Sequence, residues 1–356
     1  AAVLIVSSCG GSDEASTTDE SSTVDSAVGS EVVGHYADGV YVSYAASVES
    51  ATKMGDDIEA FLDDPTEDTL ATARKAWLTA RPDYGVTEAF RFYGGPIDAD
   101  DTGPEGRLNA WPMDESYVDY VEGDPEAGII NDPDEYPTLD TDTLASLNEA
   151  GGETNVSTGW HAIEFLLWGQ DLSEDGPGER PATDYTDAPN ADRRSEYLAS
   201  ATQLLLTDLQ GVTDAWNPDG DDNFRVKFLA LPTDEALTNI VTGVGELSRG
   251  ELAGERMSVA YTERSEEDEH SCFSDNTTAD LLANARGIDM VLTGLYPGGV
   301  EGPGLQSLFE AADPDSAAAL REAVDTSIAD LEVIPAPFDQ HLVDGAQERH
   351  DQFVRQ

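Results

Sequence analysis

One short segment, residues 159–169 (GWHAIEFLLWG), constrains the fold more than any other part of the chain. It places His161 and Glu164 three positions apart in a run that is otherwise apolar. A helix that is apolar all round is typical of a buried helix, and residues three apart lie on one face of it. Burying a polar group without a partner costs about 2–7 kcal/mol, and burying a charge costs more. The fold must therefore supply partners for both side chains, and a metal ion or a polar site between domains would do so.

The longer periodic segments predict helices, because apolar residues recur in them at three- and four-residue spacing. The predicted helices cover residues 41–62, 69–80, 84–93, 160–168, 193–216, 222–231, 234–252, 278–295, 305–311 and 317–333. No segment alternates convincingly between apolar and polar residues as a half-buried strand does. The predicted fold class is all-α, with helical bundles as the way to bury the amphipathic faces.

The charge balance excludes some classes of partner. The chain of 356 residues carries 73 acidic and 18 basic residues, for a formal net charge of −55. Such a field repels nucleic acid and anionic membrane surfaces. The acidic residues are spread along the whole chain, which indicates a solvated acidic surface of the kind found in proteins adapted to high salt.

The first residues resemble part of an export signal. A short apolar run ends in Val6-Ser7-Ser8-Cys9, which resembles a bacterial lipobox whose cysteine is lipidated. The alternative is an ordinary secretory segment with an incidental cysteine. Residues 10–31 are rich in Gly, Ser, Thr, Asp and Glu and fit a flexible tether. We expect an exported lipoprotein of the cell envelope, which meets the membrane only through a lipid on Cys9.

Two carboxylates upstream are candidates to complete a site with His161 and Glu164. Glu88 precedes a glycine break, and Asp98 follows it ten residues later. Each has a simpler interpretation, since Glu88 could pair with Arg81 or Arg91 and Asp98 could cap a turn. One histidine with three carboxylates would suit iron, manganese or zinc.

A second distinctive patch lies at residues 266–272 (EEDEHSC). It is typical of a solvated acidic helix start, with Cys272 as a small buried residue. The alternative is that Glu269, His270 or Cys272 lines the same site or offers an additional metal contact.

Several segments of this chain resemble the imelysin family, and in particular its iron-regulated protein A branch. The matching segments are residues 89–98, 103–112, 159–171, 250–257, 266–277 and 334–339, within a resemblance that covers about 35–350.

The resemblance implies a fold of two helical bundles, with a G-x-H-x-x-E motif near their interface at Gly159, His161 and Glu164. It implies an N-terminal bundle over residues 32–152 and a C-terminal bundle over 153–356, after a signal remnant and linker at 1–31. Related periplasmic iron-uptake proteins carry a glutamate and an aspartate ten residues apart upstream of this motif. That spacing implies a metal-ligand role for Glu88 and Asp98.

The family is also catalogued as metallopeptidases, after a member that cleaves insulin. The usual zinc-peptidase helix holds two histidines four residues apart with a glutamate between them. Here the motif has one histidine, and no other repeats that spacing, so Glu164 would have to act as either ligand or general base. The remaining histidines are His35, His270, His341 and His350.

Binding needs only the ligands, so we predict a metal-binding protein that serves iron acquisition, with iron or zinc as the ion and envelope iron-uptake proteins as partners. The predicted ligands are Glu88, Asp98, His161 and Glu164. The alternatives are a metal-dependent endopeptidase that uses the same cluster and a purely adhesive surface protein.

Overall fold

The computed structural model describes residues 26–173, 176–264 and 268–338, and almost all of its regular structure is helical. The predicted lipidation site, Cys9, lies outside the described residues, as do His341 and His350. The α-helices are α1 Ser26–Asp63, α2 Glu67–Gly85, α3 Glu105–Asn109, α4 Glu115–Val118, α5 Thr141–Leu147, α6 Gly159–Trp168, α7 Ala191–Trp216, α8 Phe224–Leu229, α9 Thr233–Glu246, α10 Ala260–Glu263, α11 Thr277–Thr293, α12 Leu305–Ala312 and α13 Pro314–Glu332.

Shorter elements connect these helices. There are 3₁₀-helices at Val86–Phe90, Ile129–Asn131, Ala182–Tyr185, Cys272–Ser274 and Pro297–Gly299. Two strands of two residues, β1 Leu295–Tyr296 and β2 Val300–Glu301, pair antiparallel in the register Leu295↔Glu301. The all-α prediction is confirmed. The division of the chain into two bundles at residue 152 stays a prediction.

Helix α1 packs against both α2 and α7, and these three helices carry much of the core. The predicted start of the first helix at residue 41 was wrong, since α1 begins at Ser26. Buried Val32, Val33 and Tyr36 extend the apolar pattern toward the N-terminus. Burying side chains of this size contributes about 1.5–3 kcal/mol each, which explains the longer helix.

The predicted end of the second helix at residue 80 was also wrong, because α2 continues through Pro82 to Gly85. Proline removes one helical hydrogen bond and usually ends a helix. Here the last turn is held by tertiary contacts. Tyr84 is fully buried, and its ring lies 5.7 Å from that of Trp160.

Helix α6 is buried along its entire length, as the segment at 159–169 predicted. It begins at Gly159, whose φ is +86°, and a side-chain Cβ at this position would lie 2.5 Å from the carbonyl oxygen of Leu108. Only glycine adopts this conformation readily and permits this approach. Trp77 of α2 donates its indole N–H to the carbonyl of Trp160 at 3.1 Å, which ties α6 to α2.

The predicted helix at 234–252 divides into two elements. α9 ends at Glu246, and a π-helix follows over Leu247–Val259. π-Helical turns are rare and occur often at functional sites. This one carries Glu251, Glu255 and Arg256, which line the pocket described below. Among the described residues, no helix is long and apolar enough to cross a membrane.

Candidate functional site

Two buried histidines face each other at the centre of the site. His161 comes from α6, and His270 comes from the loop before α11. Their Nε2 atoms lie 3.2 Å apart, and the two residues are 1% and 3% exposed. His270 lies 109 positions further along the chain, so no local spacing could reveal the pair.

A carboxylate holds the other nitrogen of each ring. His161 Nδ1 lies 3.0 Å from Glu164 Oε2, and His270 Nδ1 lies 2.8 Å from Asp280 Oδ2. Glu164 Oε1 accepts hydrogen bonds from the backbone N–H and the hydroxyl of Ser274, at 3.0 and 2.6 Å. The same arrangement orients imidazoles that bind metals, because a partner on one nitrogen fixes which nitrogen is free.

The protonation states follow from burial. Burial lowers the pKa of His161 well below 6.5, and the neighbouring His270 lowers it further. Burial also lowers the pKa of His270, with added effects of Arg256 and Arg81. Burial raises the pKa of Glu164 to about 8, although Ser274 opposes this. Both imidazoles are therefore neutral at pH 7, and Glu164 can carry a proton.

A second buried network surrounds Glu88, in the 3₁₀-helix that follows α2. Arg256 of the π-helix pairs with both oxygens of this carboxylate, and Arg91 Nη1 lies 3.2 Å from Oε2. Asn284 of α11 donates to Oε1 at 3.2 Å. Burial alone would raise the pKa of Glu88, but Arg256 and Arg91 lower it to about 2. The carboxylate is ionised and its charge is compensated.

Arg81 joins the two networks. Its guanidinium donates to Asn109 Oδ1 at 2.6 Å and to Asp280 Oδ2 at 3.2 Å, and its Nη2 lies 3.5 Å from His161 Nε2. Asn109 in turn lies 3.5 Å from Glu88 Oε2. A continuous polar network therefore runs from Glu88 to the histidine pair.

A pocket of about 650 Å³ opens onto this network. His270, Trp111, Arg91 and Arg256 line it, together with a set of carboxylates. The carboxylates are Glu105, Glu149, Glu153, Glu251, Glu255 and Asp268. The ring of Trp111 lies 4.7 Å from that of His161, which is not itself a lining residue. His270 is thus the member of the pair that meets the pocket.

The structure brings together two of the four predicted ligands, His161 and Glu164, and adds His270. Glu88 belongs to the arginine network, and its predicted alternative pairing with Arg91 is confirmed. Asp98 Oδ2 accepts a hydrogen bond from the backbone N–H of Phe92, which closes a short loop. No three His, Cys, Asp or Glu side chains of the described residues form a group that could hold a metal ion. The metal-ligand role of these residues stays a prediction.

The 266–272 patch contributes His270 to the histidine pair. Of its other candidates, Glu269 accepts a hydrogen bond from Thr277 at 3.0 Å, and Cys272 is buried, which raises the pKa of its thiol. Residues 266 and 267 lie outside the described residues. Arg81, named above as a possible partner of Glu88, pairs with Asp280 instead, at 3.2 Å. Asp280 and Arg256 were not predicted as parts of the site. A signal existed for Arg256 and Trp111, since both lie in segments that carried the family resemblance.

Comparison with known proteins decides the family. The family model for imelysin, peptidase M75, matches residues 40–354. The chain belongs to the imelysin family. An iron-regulated protein A from Synechococcus elongatus is 26% identical over 312 residues, which are 85% of this chain and 75% of that protein.

Two crystal structures share the fold of this imelysin-family chain. An iron-regulated protein A precursor from Parabacteroides distasonis aligns with a TM-score of 0.72 and 18% identity, covering 95% of this chain and 93% of that one. An imelysin-like protein from Psychrobacter arcticum aligns with a TM-score of 0.64 and 16% identity, covering 93% and 92%. At these identities the likeness establishes the fold.

Proposed function

We propose that this imelysin-family protein binds a divalent or trivalent metal ion, iron in the first place, at the His161–His270 pair. In the proposal, the protein is anchored to the cell envelope through a lipid on Cys9 and passes its ion to envelope iron-uptake proteins. The name of the Synechococcus relative supports the connection to iron.

The observation that carries the proposal is the contact between the two Nε2 atoms. When Glu164 is ionised and each Nδ1–H donates to its carboxylate, both Nε2 atoms present lone pairs to each other at 3.2 Å. When Glu164 is protonated, its O–H donates to His161 Nδ1 instead, and His161 Nε2–H donates to His270 Nε2. Two acceptors at this distance repel unless a cation or a proton lies between them. A metal ion bound by neutral imidazoles satisfies both, and Glu164 and Asp280 then orient the two ligands.

The donor set fits a cargo ion better than a closed structural site. The pair offers two nitrogens, whereas structural sites usually provide four ligands from the protein. Arginines compensate the charge of Glu88, which favours a structural role for that residue. A bound ion would take its remaining ligands from water or from a molecule that it arrives with.

Metal content after dialysis against Zn²⁺ or Fe²⁺ tests the proposal. We expect about one ion per wild-type chain and a loss of at least tenfold in affinity in His161→Ala and in His270→Ala. His35→Gln is the matched control, because His35 hydrogen-bonds the carbonyl of Gly294 away from the pair. Equal metal content in wild type and both alanine variants would refute the site.

A second function, metal-dependent endopeptidase, is favoured by the family to which the chain belongs and by the second histidine that His270 supplies. Its weakness is the general base, since Glu164 is fully buried and hydrogen-bonded on both oxygens. Cleavage of an unfolded protein by the zinc-loaded chain, lost on chelation and in Glu164→Ala, would favour this function. Inactivity of a chain with bound zinc would count against it.

The lipid anchor has a separate test. Expression of the full precursor in a bacterial host should give a membrane-bound, lipid-labelled protein. Cys9→Ser should release it in unlabelled form. Release of the wild type, or retention of the variant, would contradict lipidation at this cysteine.

A further inference from the structure

The π-helix Leu247–Val259 forms one wall of the pocket. It follows α9 directly and leads directly into α10. Glu251, Glu255, Arg256 and Val259 of this element line the pocket. π-Helices are rare and mostly consist of a single turn. One that spans 13 residues at the edge of a pocket therefore calls for a physical cause.

The buried side chains of this segment fit a π-helix and do not fit an α-helix. Leu247, Leu252 and Arg256 are buried and lie five and four positions apart. An α-helix turns about 100° per residue, so it would place Leu252 about 140° and Arg256 about 180° away from Leu247. A π-helix holds about one residue more in each turn, because its hydrogen bonds join residues five apart. It therefore brings all three side chains to the buried face.

Arg256 makes the first of two contacts that hold this register. The residue is 4% exposed, and its guanidinium donates to both oxygens of Glu88 and to Asn284 Oδ1. An α-helical course through the same residues would turn Arg256 away from Glu88 by about half a turn. The ion pair with Glu88 therefore stabilises the π-helical register.

Ser258 makes the second contact. Its hydroxyl donates to the carbonyl of Ala253, five positions earlier, at 2.6 Å. Ser195 of α7 donates instead to the carbonyl of Ala191, four positions earlier, at 3.1 Å. The acceptor of Ser258 thus matches the π-helical spacing.

The sequence of the segment does not itself require a π-helix. Residues 251–257 (ELAGERM) are good helix formers apart from Gly254, and residues 247–263 contain no proline. α-Helices adjoin the segment at both ends. Local preference therefore favours an α-helix, and the tertiary contacts impose the π-helix.

We infer that Leu247–Val259 is a movable wall of the pocket, which the contact between Arg256 and Glu88 holds in the π-helical register and which changes to the α-helical register when that contact breaks. The change turns Arg256 out of the interior and lets the pocket extend to Glu88. This inference does not depend on a metal ion at the histidine pair.

Modification of arginines by phenylglyoxal, mapped by mass spectrometry on the folded full chain, tests the movement. The reagent requires an accessible guanidinium. Arg249 of the same π-helix is exposed and serves as the reactive reference. Arg194 of α7 is 1% exposed, pairs with Asp119 and serves as the protected reference. In the wild type we expect Arg256 to be protected as Arg194 is.

Two variants should expose Arg256. Glu88→Gln removes the ion pair, and we expect Arg256 to react at a rate similar to that of Arg249. Ser258→Ala removes one hydrogen bond and should raise the rate of Arg256 about three- to tenfold. Ser195→Ala is the matched control, because it removes a hydroxyl from α7, and it should leave the rate unchanged.

Hydrogen exchange in the same variants distinguishes a change of register from local unfolding. The amides of an α-helix remain hydrogen-bonded, so we expect residues 247–259 to stay protected from exchange while Arg256 reacts. Fast exchange of 247–259 together with modification of Arg256 would show local unfolding and overturn the inference.

Two further results would also overturn it. Arg256 that stays protected in both Glu88→Gln and Ser258→Ala would show that the wall is fixed. Modification of Arg194 together with Arg256 would show that the whole chain opens. If Glu88→Gln does not fold, Ser258→Ala decides between these outcomes.

Discussion

Two glutamates in this protein are equally buried but differ in their hydrogen-bond partners and in the direction of their pKa shifts. Glu88 and Glu164 are 1% and 0% exposed. Glu88 is surrounded by Arg256 and Arg91, and its pKa is lowered to about 2. Glu164 has a neutral histidine and Ser274 as partners, and its pKa is raised to about 8. Burial favours the neutral form of both carboxylates, and Arg256 and Arg91 reverse this at Glu88, whereas Ser274 and Arg81 oppose it only in part at Glu164.

Glu88 has a structural role, whereas Glu164 belongs to the proposed binding site. The charge of Glu88 is compensated within the protein, so it links the 3₁₀-helix after α2, the π-helix and α11 at neutral pH. The charge around Glu164 and the histidine pair is adjustable, since a proton or a metal ion can balance it. His270 of this cluster lines the pocket, and strongly perturbed groups at a pocket are typical of functional sites.

The largest effect should come from neutralising Glu88. Glu88→Gln removes the carboxylate that Arg256 and Arg91 share and leaves Arg256 with Glu251 at 3.6 Å and Arg91 with Glu105 at 2.9 Å. Breaking a buried ion pair on one side costs about 3–5 kcal/mol. The free energy of unfolding in urea measures this loss. Glu49→Gln is the control, because Glu49 pairs with Lys53 on the surface, and we expect no measurable change in the free energy of unfolding there. If Glu88→Gln lowers the free energy of unfolding by less than about 1 kcal/mol, Glu88 does not have the structural role that sets it apart from Glu164.

Acid should remove the stabilisation by Glu88. The folded-state pKa lies below the unfolded value of 4.5, so the contribution is present above pH 4.5 and is lost as pH falls toward 2. A shift of this size corresponds to about 3 kcal/mol. Urea unfolding of wild type and Glu88→Gln between pH 5 and 2.5 measures it. We expect the two stabilities to converge, and parallel curves would contradict the assignment.

The smallest effect should come from neutralising Glu164. Its folded-state pKa lies above 4.5, so its contribution is full below pH 4.5 and is lost as pH rises through 8. At pH 5 we expect Glu164→Gln to change the free energy of unfolding by less than about 1 kcal/mol, because the amide replaces a protonated carboxyl of the same shape. From pH 5 to 8 the variant should become more stable relative to wild type. A difference that is constant with pH would contradict the raised pKa.

The sequence predicted much of the fold, because helix formation depends on local periodicity. α6, α7, α11 and α12 occur close to their predicted bounds. The helix bounds were predicted wrongly where tertiary contacts extend a helix beyond its local sequence signals, at the start of α1 and beyond Pro82 in α2. The π-helix at Leu247–Val259 was also missed, since its apolar pattern does not distinguish it from an α-helix.

Only the part of the site whose residues are close together in the sequence could be predicted. His161 and Glu164 are three positions apart, and their burial follows from the apolar residues around them. Their partners come from elsewhere in the chain, with His270 109 positions and Ser274 110 positions away. Glu88 was predicted as a metal ligand, but Arg256, which fixes its charge, lies 168 positions further on. A single sequence contains no signal for such pairings beyond the family resemblance.

X-ray absorption spectroscopy of the zinc-loaded protein observes the ligands of the bound ion. Binding at the His161–His270 pair should give scattering from two imidazoles with Zn–N distances of about 2.0–2.1 Å, reduced to one imidazole in His270→Ala. A first shell of oxygen atoms alone, unchanged in that variant, would contradict binding at the histidine pair.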